Sequence, residues 1–169
     1  AELTVTQILS LAGLIDKSHY TEESAERGIS VHLLCAALDR GENLWEVPEY
    51  EGLYFDAYQL FLDDMKPTWQ HIEKRFKRLG FSGQPDRVGI IQGTKVILEI
   101  KSGNTAQPWW ALQLAGYALL FNETPRPRRW ALQLRSDGTY KLHVYSRSED
   151  ERVFLAALTV ARWKEEERR

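Results

Sequence analysis

The chain has 169 residues, 43% of them hydrophobic and 27% charged, with a formal net charge of −2. That is the make-up of an ordinary soluble globular chain with room for a sizeable core. A single cysteine, Cys35, excludes an intramolecular disulfide framework, a four-cysteine zinc site and a cysteine-ligated iron–sulfur cluster.

No run of about 18 apolar residues is present, so no membrane contact is expected. The N-terminal AELTVTQ lacks the basic-then-apolar layout of a leader, and a cytoplasmic protein is the default. The slightly acidic balance does not advertise nucleic-acid binding, although a local basic patch can sit on a near-neutral protein. Lys74 to Arg78 (KRFKR) and Arg126 to Arg129 (RPRR) are such patches. Each, taken alone, reads as solvated surface.

Along the chain, Thr4 to Leu14 predicts a short helix ending near Gly13. Thr21 caps a second helix, with Glu22 and Glu23 in its first turn, that runs to about Arg40 and stops at Gly41. Gly41 to Glu51 reads as a connection within a domain. A third helix covers about Tyr50 to Met65 and ends at Pro67. Trp69 to Arg78 alternates loosely, as a strand does. Gly80 to Gln92 and Thr94 to Ser102 read as two strands about a tight turn. Trp109 to Phe121, apolar on nearly all sides, predicts a buried helix. Arg129 to Ser136 and Thr139 to Ser146 predict a hairpin about Asp137-Gly138, and Glu149 to Arg168 a final helix.

The expectation is an α/β fold with a mixed central β-sheet flanked by α-helices, in one domain over 1–169. Its helical N-terminal part is 1–66, its sheet core 67–147 with a helix over 107–121, and its C-terminal helix 149–169.

The stretch VILEIKSG, Val96 to Gly103, sets the functional question, because Glu99 and Lys101 interrupt a core strand. If Gln92 and Gly93 are the central turn residues, Asp86 lies directly opposite Glu99, with Cβ atoms roughly 5 Å apart. Lys101, two residues on, shares that face. Two carboxylates and an amine then meet among Val88, Ile90, Ile91, Val96, Ile97, Leu98 and Ile100. Close buried carboxylates resist ionising together. A lysine offsets one charge, and a divalent cation with oxygen ligands, Mg²⁺ or Mn²⁺, offsets the rest. The plain alternative is a buried Lys–Glu pair with Asp86 capping a turn. Convergence of three ionisable groups favours a site.

These residues resemble the PD-(D/E)XK nuclease superfamily, through Pro85-Asp86 followed by Glu99-Ile100-Lys101. Gly28 to His32 (GISVH) is similar to the Gly-x-x-x-His motif of its RecB-type branch, and Gln113 to Tyr117 (QLAGY) to that branch's Gln-x-x-x-Tyr motif. The resemblance implies a restriction-endonuclease-like core in a small stand-alone member, of the kind found in phages and mobile elements. It implies that Asp86, Glu99 and Lys101 are catalytic, and that His32, Asp86, Glu99 and the Ile100 carbonyl hold Mg²⁺ or Mn²⁺. Gln113 and Tyr117 would contact nucleic acid or brace the site, and Glu73 matches an acidic position on the preceding strand.

Read without the family, His32 shares a helix face with Ala25, Gly28, Ile29, Cys35, Ala36 and Asp39, which permits close approach to another element. On the residues alone, the plainer reading is a hydrogen-bonded core histidine. Gln113 and Tyr117 are neighbours on one helix face, and as polar groups on a buried helix they need partners there, whether each other or the sheet. Trp109 and Trp110 either pack in the core or stack on unpaired bases. Arg87 and the RPRR stretch are candidate phosphate contacts, and Arg87 and Glu73, like Gln113 and Tyr117, are otherwise candidates to brace the site.

The implied activity is a divalent-metal-dependent deoxyribonuclease, foremost an exonuclease, in recombination, repair or phage DNA processing. The implied partners are single- or double-stranded DNA, with a second copy of the chain or phage or host recombination proteins beside it. The rivals are a catalytically silent nucleic-acid-binding or assembly module on the same fold, and a hydrolase of some other phosphate ester.

Overall fold

The computed structural model describes residues 2–44 and 46–169, with Tyr50 described by its backbone. Trp45, in the Gly41 to Glu51 connection, lies outside the described residues.

Thr4 opens the first helix through a capping box with Gln7. This helix, α1 (Val5–Leu11), is shorter than the sequence suggests, because Leu3–Thr4 forms a short strand, β1, and the chain turns at Ala12 and Gly13. Thr21 and Ser24 form the reciprocal cap of α2 (Glu22–Asp39), which ends before Gly41. Next comes α3 (Glu49–Met65), closed by Lys66 in the left-handed region.

Seven strands follow α3 in the described residues: β2 (Thr68–Ile72), β3 (Phe76–Arg78), β4 (Phe81–Gly83), β5 (Arg87–Ile91), β6 (Thr94–Lys101), then β7 (Arg128–Leu134) and β8 (Tyr140–Tyr145) after α4 (Trp109–Leu119). The chain ends in α5 (Glu149–Glu167).

Two expected strands prove to be four. Trp69 to Arg78 splits into β2 and β3 because Glu73 takes φ 52° and turns the chain out of its sheet. Gly80 to Gln92 splits into β4 and β5 around Gln84 to Asp86. The pieces join different sheets: β1-β4-β3 form one, and β2-β5-β6-β7-β8 the other. The larger sheet is mixed, antiparallel except where β6 and β7 run parallel.

The β5–β6 register is the expected one. Gln92 and Gly93 both have positive φ, as a tight hairpin turn requires, and Ile91 pairs with Thr94 and Arg87 with Leu98. The β7–β8 hairpin departs from expectation. Leu134 pairs with Tyr140, so the loop is longer than a two-residue turn on Asp137-Gly138, and Gly138 alone there has positive φ. At the outer strand, Gly89 admits the irregular β2. A Cβ on Gly89 would lie 2.4 Å from the Thr68 carbonyl oxygen.

Side chains of β6 alternate between two cores. Val96, Leu98 and Ile100 pack with Val31, Cys35, Tyr58 and Phe61 of α2 and α3. Ile97 points the other way, into a core built with α1, α4 and α5. Glu99 and Lys101 share the Ile97 face by the same period of two.

Candidate metal and catalytic centre

Asp86 immediately precedes β5, one step beyond the Arg87–Leu98 pair, and so faces Glu99. The two strands are tied reciprocally through their carboxylates. The Asp86 N–H donates to Glu99 Oε1 at 2.7 Å, and the Ile100 N–H donates to Asp86 Oδ2 at 2.7 Å. The other Asp86 oxygen, Oδ1, lies 3.3 Å from His32 Nδ1. Gly28, one turn before His32, brings α2 against the end of β6. A Cβ there would sit 3.8 Å from Ser102 Oγ, in ordinary contact. Ile29, grouped with His32 by helical spacing, points largely to solvent.

Glu73 joins this cluster through the same turn that breaks the strand. Its N–H donates to the Asp86 carbonyl at 3.0 Å, and its carboxylate lies 3.4 Å from Arg40. Among the described residues, donor atoms of His32, Glu73 and Asp86 all lie within 4.8 Å of one another. Glu99 stands outside that closest set, with one oxygen committed to the Asp86 N–H.

Lys101 lies on the α4 side. Its ammonium donates to Gln113 Oε1 at 2.7 Å and sits 4.5 Å from the Trp109 ring centre and 5.6 Å from that of Trp110. Gln113 in turn donates to the Tyr117 hydroxyl at 3.2 Å. The Tyr117 ring leaves room only for glycine at position 83, where a Cβ would meet it at 2.7 Å. Gln113 and Tyr117 therefore do bond each other, and through Gln113 they also hold Lys101. Trp109 and Trp110 are buried, which removes them from the role of exposed base-stacking platforms. Their faces instead cover the Lys101 ammonium.

Burial and mutual charge shift Glu99, His32, Asp86 and Lys101. Burial, then the nearby Asp86, raises the Glu99 carboxyl to about 8. Burial opposes protonation of His32, but the Asp86 carboxylate outweighs it and lifts the imidazole to about 9. Asp86 pays for burial too, yet His32, the Ile100 N–H and Lys101 hold it below the usual carboxylate range. Burial lowers Lys101, against the pull of Glu99 and Asp86. Without a cation, the cluster thus keeps protons on Glu99 and His32 near neutral pH.

Arg87 is placed as a brace of the site and not on the surface. It is 1% exposed, and its Nε donates to Asp39 Oδ2 at 2.7 Å while NH1 donates to the Asp86 carbonyl at 2.6 Å. The Tyr58 hydroxyl donates to the same Asp39 oxygen. Together with the Glu73 N–H, Arg87 clamps the Asp86 backbone. Two arginines of the RPRR stretch are likewise occupied: Arg126 pairs with Glu151, and Arg129 is buried against Asp150, while Arg128 is exposed. Sequence reasoning did not find Asp39 as the anchor of Arg87. The available signal was its position one heptad after His32, on the same helix face.

His32, Glu99, Ile100 and Lys101 open into a cleft of about 780 Å³, lined also by Tyr20, Arg27 and Gln107. It lies between the chain leading into α2 and the segment joining β6 to α4.

No protein-family model matches the chain, and no curated protein matches it. Among solved structures it is similar to an alkaline exonuclease, LHK-Exo, from Laribacter hongkongensis, at 16% identity over 98% of this chain and 92% of that one, with a TM-score of 0.48. The crystal structure of LHK-Exo in complex with dAMP gives 16% identity, the same coverage and a TM-score of 0.47. The structure of SSO0001 gives 13% identity over 96% of this chain and 75% of that one, with a TM-score of 0.48. At such identities and scores, the chemistry rests on this chain's own residues.

Proposed function

We propose that the chain is a divalent-metal-dependent deoxyribonuclease of the PD-(D/E)XK superfamily, one domain across its 169 residues, that digests DNA from an end. The observation that carries this reading is the convergence of Asp86, Glu99 and Lys101 at the end of the β5–β6 hairpin, with His32 against Asp86. The sequence motifs Pro85-Asp86 and Glu99-Ile100-Lys101 support it independently.

The residues fit a hard divalent cation. Carboxylate oxygens with one imidazole suit Mn²⁺ and Mg²⁺. His32, Asp86, Glu99 and the Ile100 carbonyl would hold it, with Glu73 near enough to assist. When bound, such an ion neutralises charge on the phosphodiester and acidifies a water molecule. Lys101 orients the attacking water as an ammonium or, once its amine is neutral, accepts the water's proton at Nζ; burial favours the neutral amine. Gln113 fixes that amine and Tyr117 fixes Gln113. Arg87 and Asp39 keep the Asp86 backbone in place. A cleft of about 780 Å³ falls in the range of small-ligand sites and suits a few nucleotides of a strand end better than an uninterrupted duplex. Recombination, repair or phage DNA processing would employ such an activity.

The test is end-labelled linear single- and double-stranded DNA incubated with the protein and Mg²⁺, Mn²⁺ or EDTA, beside Lys101→Ala. Metal-dependent release of short products, lost in the variant, is expected. Folded wild-type protein that degrades no DNA, or a variant as active as wild type, overturns the reading.

A further inference from the structure

The last helix carries two apolar faces, and only one is used within the chain. Phe154, Ala157, Leu158 and Ala161 are buried in the core shared with α1 and α4. Beside them runs a second stripe, Val153, Ala156, Val160 and Trp163, at alternating spacings of three and four. Its members are exposed, Val153 and Val160 to 42% and Trp163 to 60%. Such spacing is the a/d pattern of a helix that packs on another helix. An exposed apolar stripe along one helix face, in contrast to a lone exposed side chain, marks an interaction surface. None of these residues lines the catalytic cleft.

The charges beside the stripe identify the occupant. Arg152 precedes Val153 and Glu166 follows Trp163 on the same flank, and among the described residues neither side chain has an ion-pair partner. When two copies of α5 are set antiparallel, Val153 faces Trp163 of the second copy and Ala156 faces its Val160. In that register Arg152 meets Glu166 of the second copy, and two-fold symmetry makes the pair twice. Thr159, on the same flank, then lies near the two-fold axis and faces its own copy. A parallel arrangement instead brings the two acidic Glu165 to Glu167 segments together. One turn further out Asp150 falls near Lys164 of the second copy, while Glu149 falls opposite its Glu167 at the exposed end of the seam.

We infer that the Val153–Trp163 face of α5 is a self-association surface, on which two copies of the chain pair antiparallel as a two-fold dimer. A contact of about three helical turns per copy is at the small end of specific interfaces, so the dimer forms in the micromolar range, on the order of 10 µM. The inference does not depend on the nuclease reading, and either can fail alone.

Sedimentation velocity of the 169-residue chain from about 1 to 200 µM, with Arg152→Glu, Glu166→Arg and the double variant, tests it. Wild type passes from monomer to dimer across that range. Each single reversal weakens the dimer about tenfold or more, and the double reversal restores it to within about threefold. All are exposed positions, and circular dichroism checks that each variant folds. A short bismaleimide should link Thr159→Cys into a covalent dimer, with wild type as background because Cys35 is buried. Monomer at every concentration overturns the inference. So does a dimer indifferent to both reversals, or one whose Thr159→Cys variant does not cross-link, since each places the contact elsewhere.

Discussion

The two faces of the central sheet each bury charge at the same end, and they treat it differently. On the α2/α3 face, Arg87 is met by Asp39, and Asp39 is met by Tyr58, so one positive and one negative charge balance, with only Arg87 Nη2 left without a hydrogen-bond partner among the described residues. On the α4 face, one residue away, Asp86 and Glu99 face Lys101, with His32 and Glu73 at the edge. There the carboxylates outnumber the fixed positive charge, and the deficit is made up by protons held on Glu99 and His32. A charge-balanced buried pair behaves as scaffold, whereas a cluster with excess carboxylate that opens to a cleft is ready to exchange protons for a cation.

The largest expected effect separates these roles. Asp86→Asn and Glu99→Gln should each reduce DNA degradation by about 10³-fold or more, measured as initial rates with Mn²⁺, because each removes a charge the site needs. Glu99→Gln should leave the melting temperature unchanged or raised. The amide oxygen can still accept from the Asp86 N–H, and the wild-type carboxyl is mostly protonated at pH 7.

Asp39→Ala should do the reverse on the other face. It strands Arg87 in the core and should cost about 3–5 kcal/mol, read by urea denaturation. Loss of activity in that variant should follow the loss of folded protein and of the hold on the Asp86 carbonyl.

The proton exchange sets a pH dependence. Glu99 and His32 both titrate above their ordinary values, so the free protein retains their protons up to about 8 and about 9. Cation binding must displace them, and Mn²⁺ affinity should rise as pH goes from 7 to 9, by up to about tenfold per unit for each proton released. A flat or falling affinity over that window would contradict the assignment of those protons.

Gln113→Leu should have an intermediate effect, about a 10- to 100-fold fall in kcat with a smaller change in KM, since it frees the Lys101 amine without removing it. The smallest effect belongs to a third kind of pair. Arg126–Glu151 is partly solvated, and Arg126→Ala should change stability by less than about 1 kcal/mol and leave cleavage unaltered.

How much of this was legible in the sequence differs by element. The β5–β6 hairpin was, because a turn dipeptide between two apolar runs fixes register, and register alone puts Asp86 opposite Glu99. The breaks at Glu73 and at Gln84 to Asp86 were not. A positive φ at a glutamate leaves no mark in composition, and short strands of different sheets read as one. Arg87 looked like a surface cation since its partner, Asp39, lies on a distant helix. The approach of His32 and Gln113 to the strand pair needed the family resemblance, because periodicity gives a face and not what that face meets. Trp109 and Trp110 were legible as core, but their stacking over Lys101 was not.

The central claim is that the α4 face holds excess carboxylate for a cation. Calorimetric titration of Mn²⁺ into the wild type at pH 7, in two buffers of different ionisation enthalpy, tests it most directly, with Asp86→Asn beside it. The account predicts binding accompanied by proton release in the wild type, and loss of that binding in the variant. Absence of binding by folded wild-type protein, or binding that Asp86→Asn leaves intact, would contradict it.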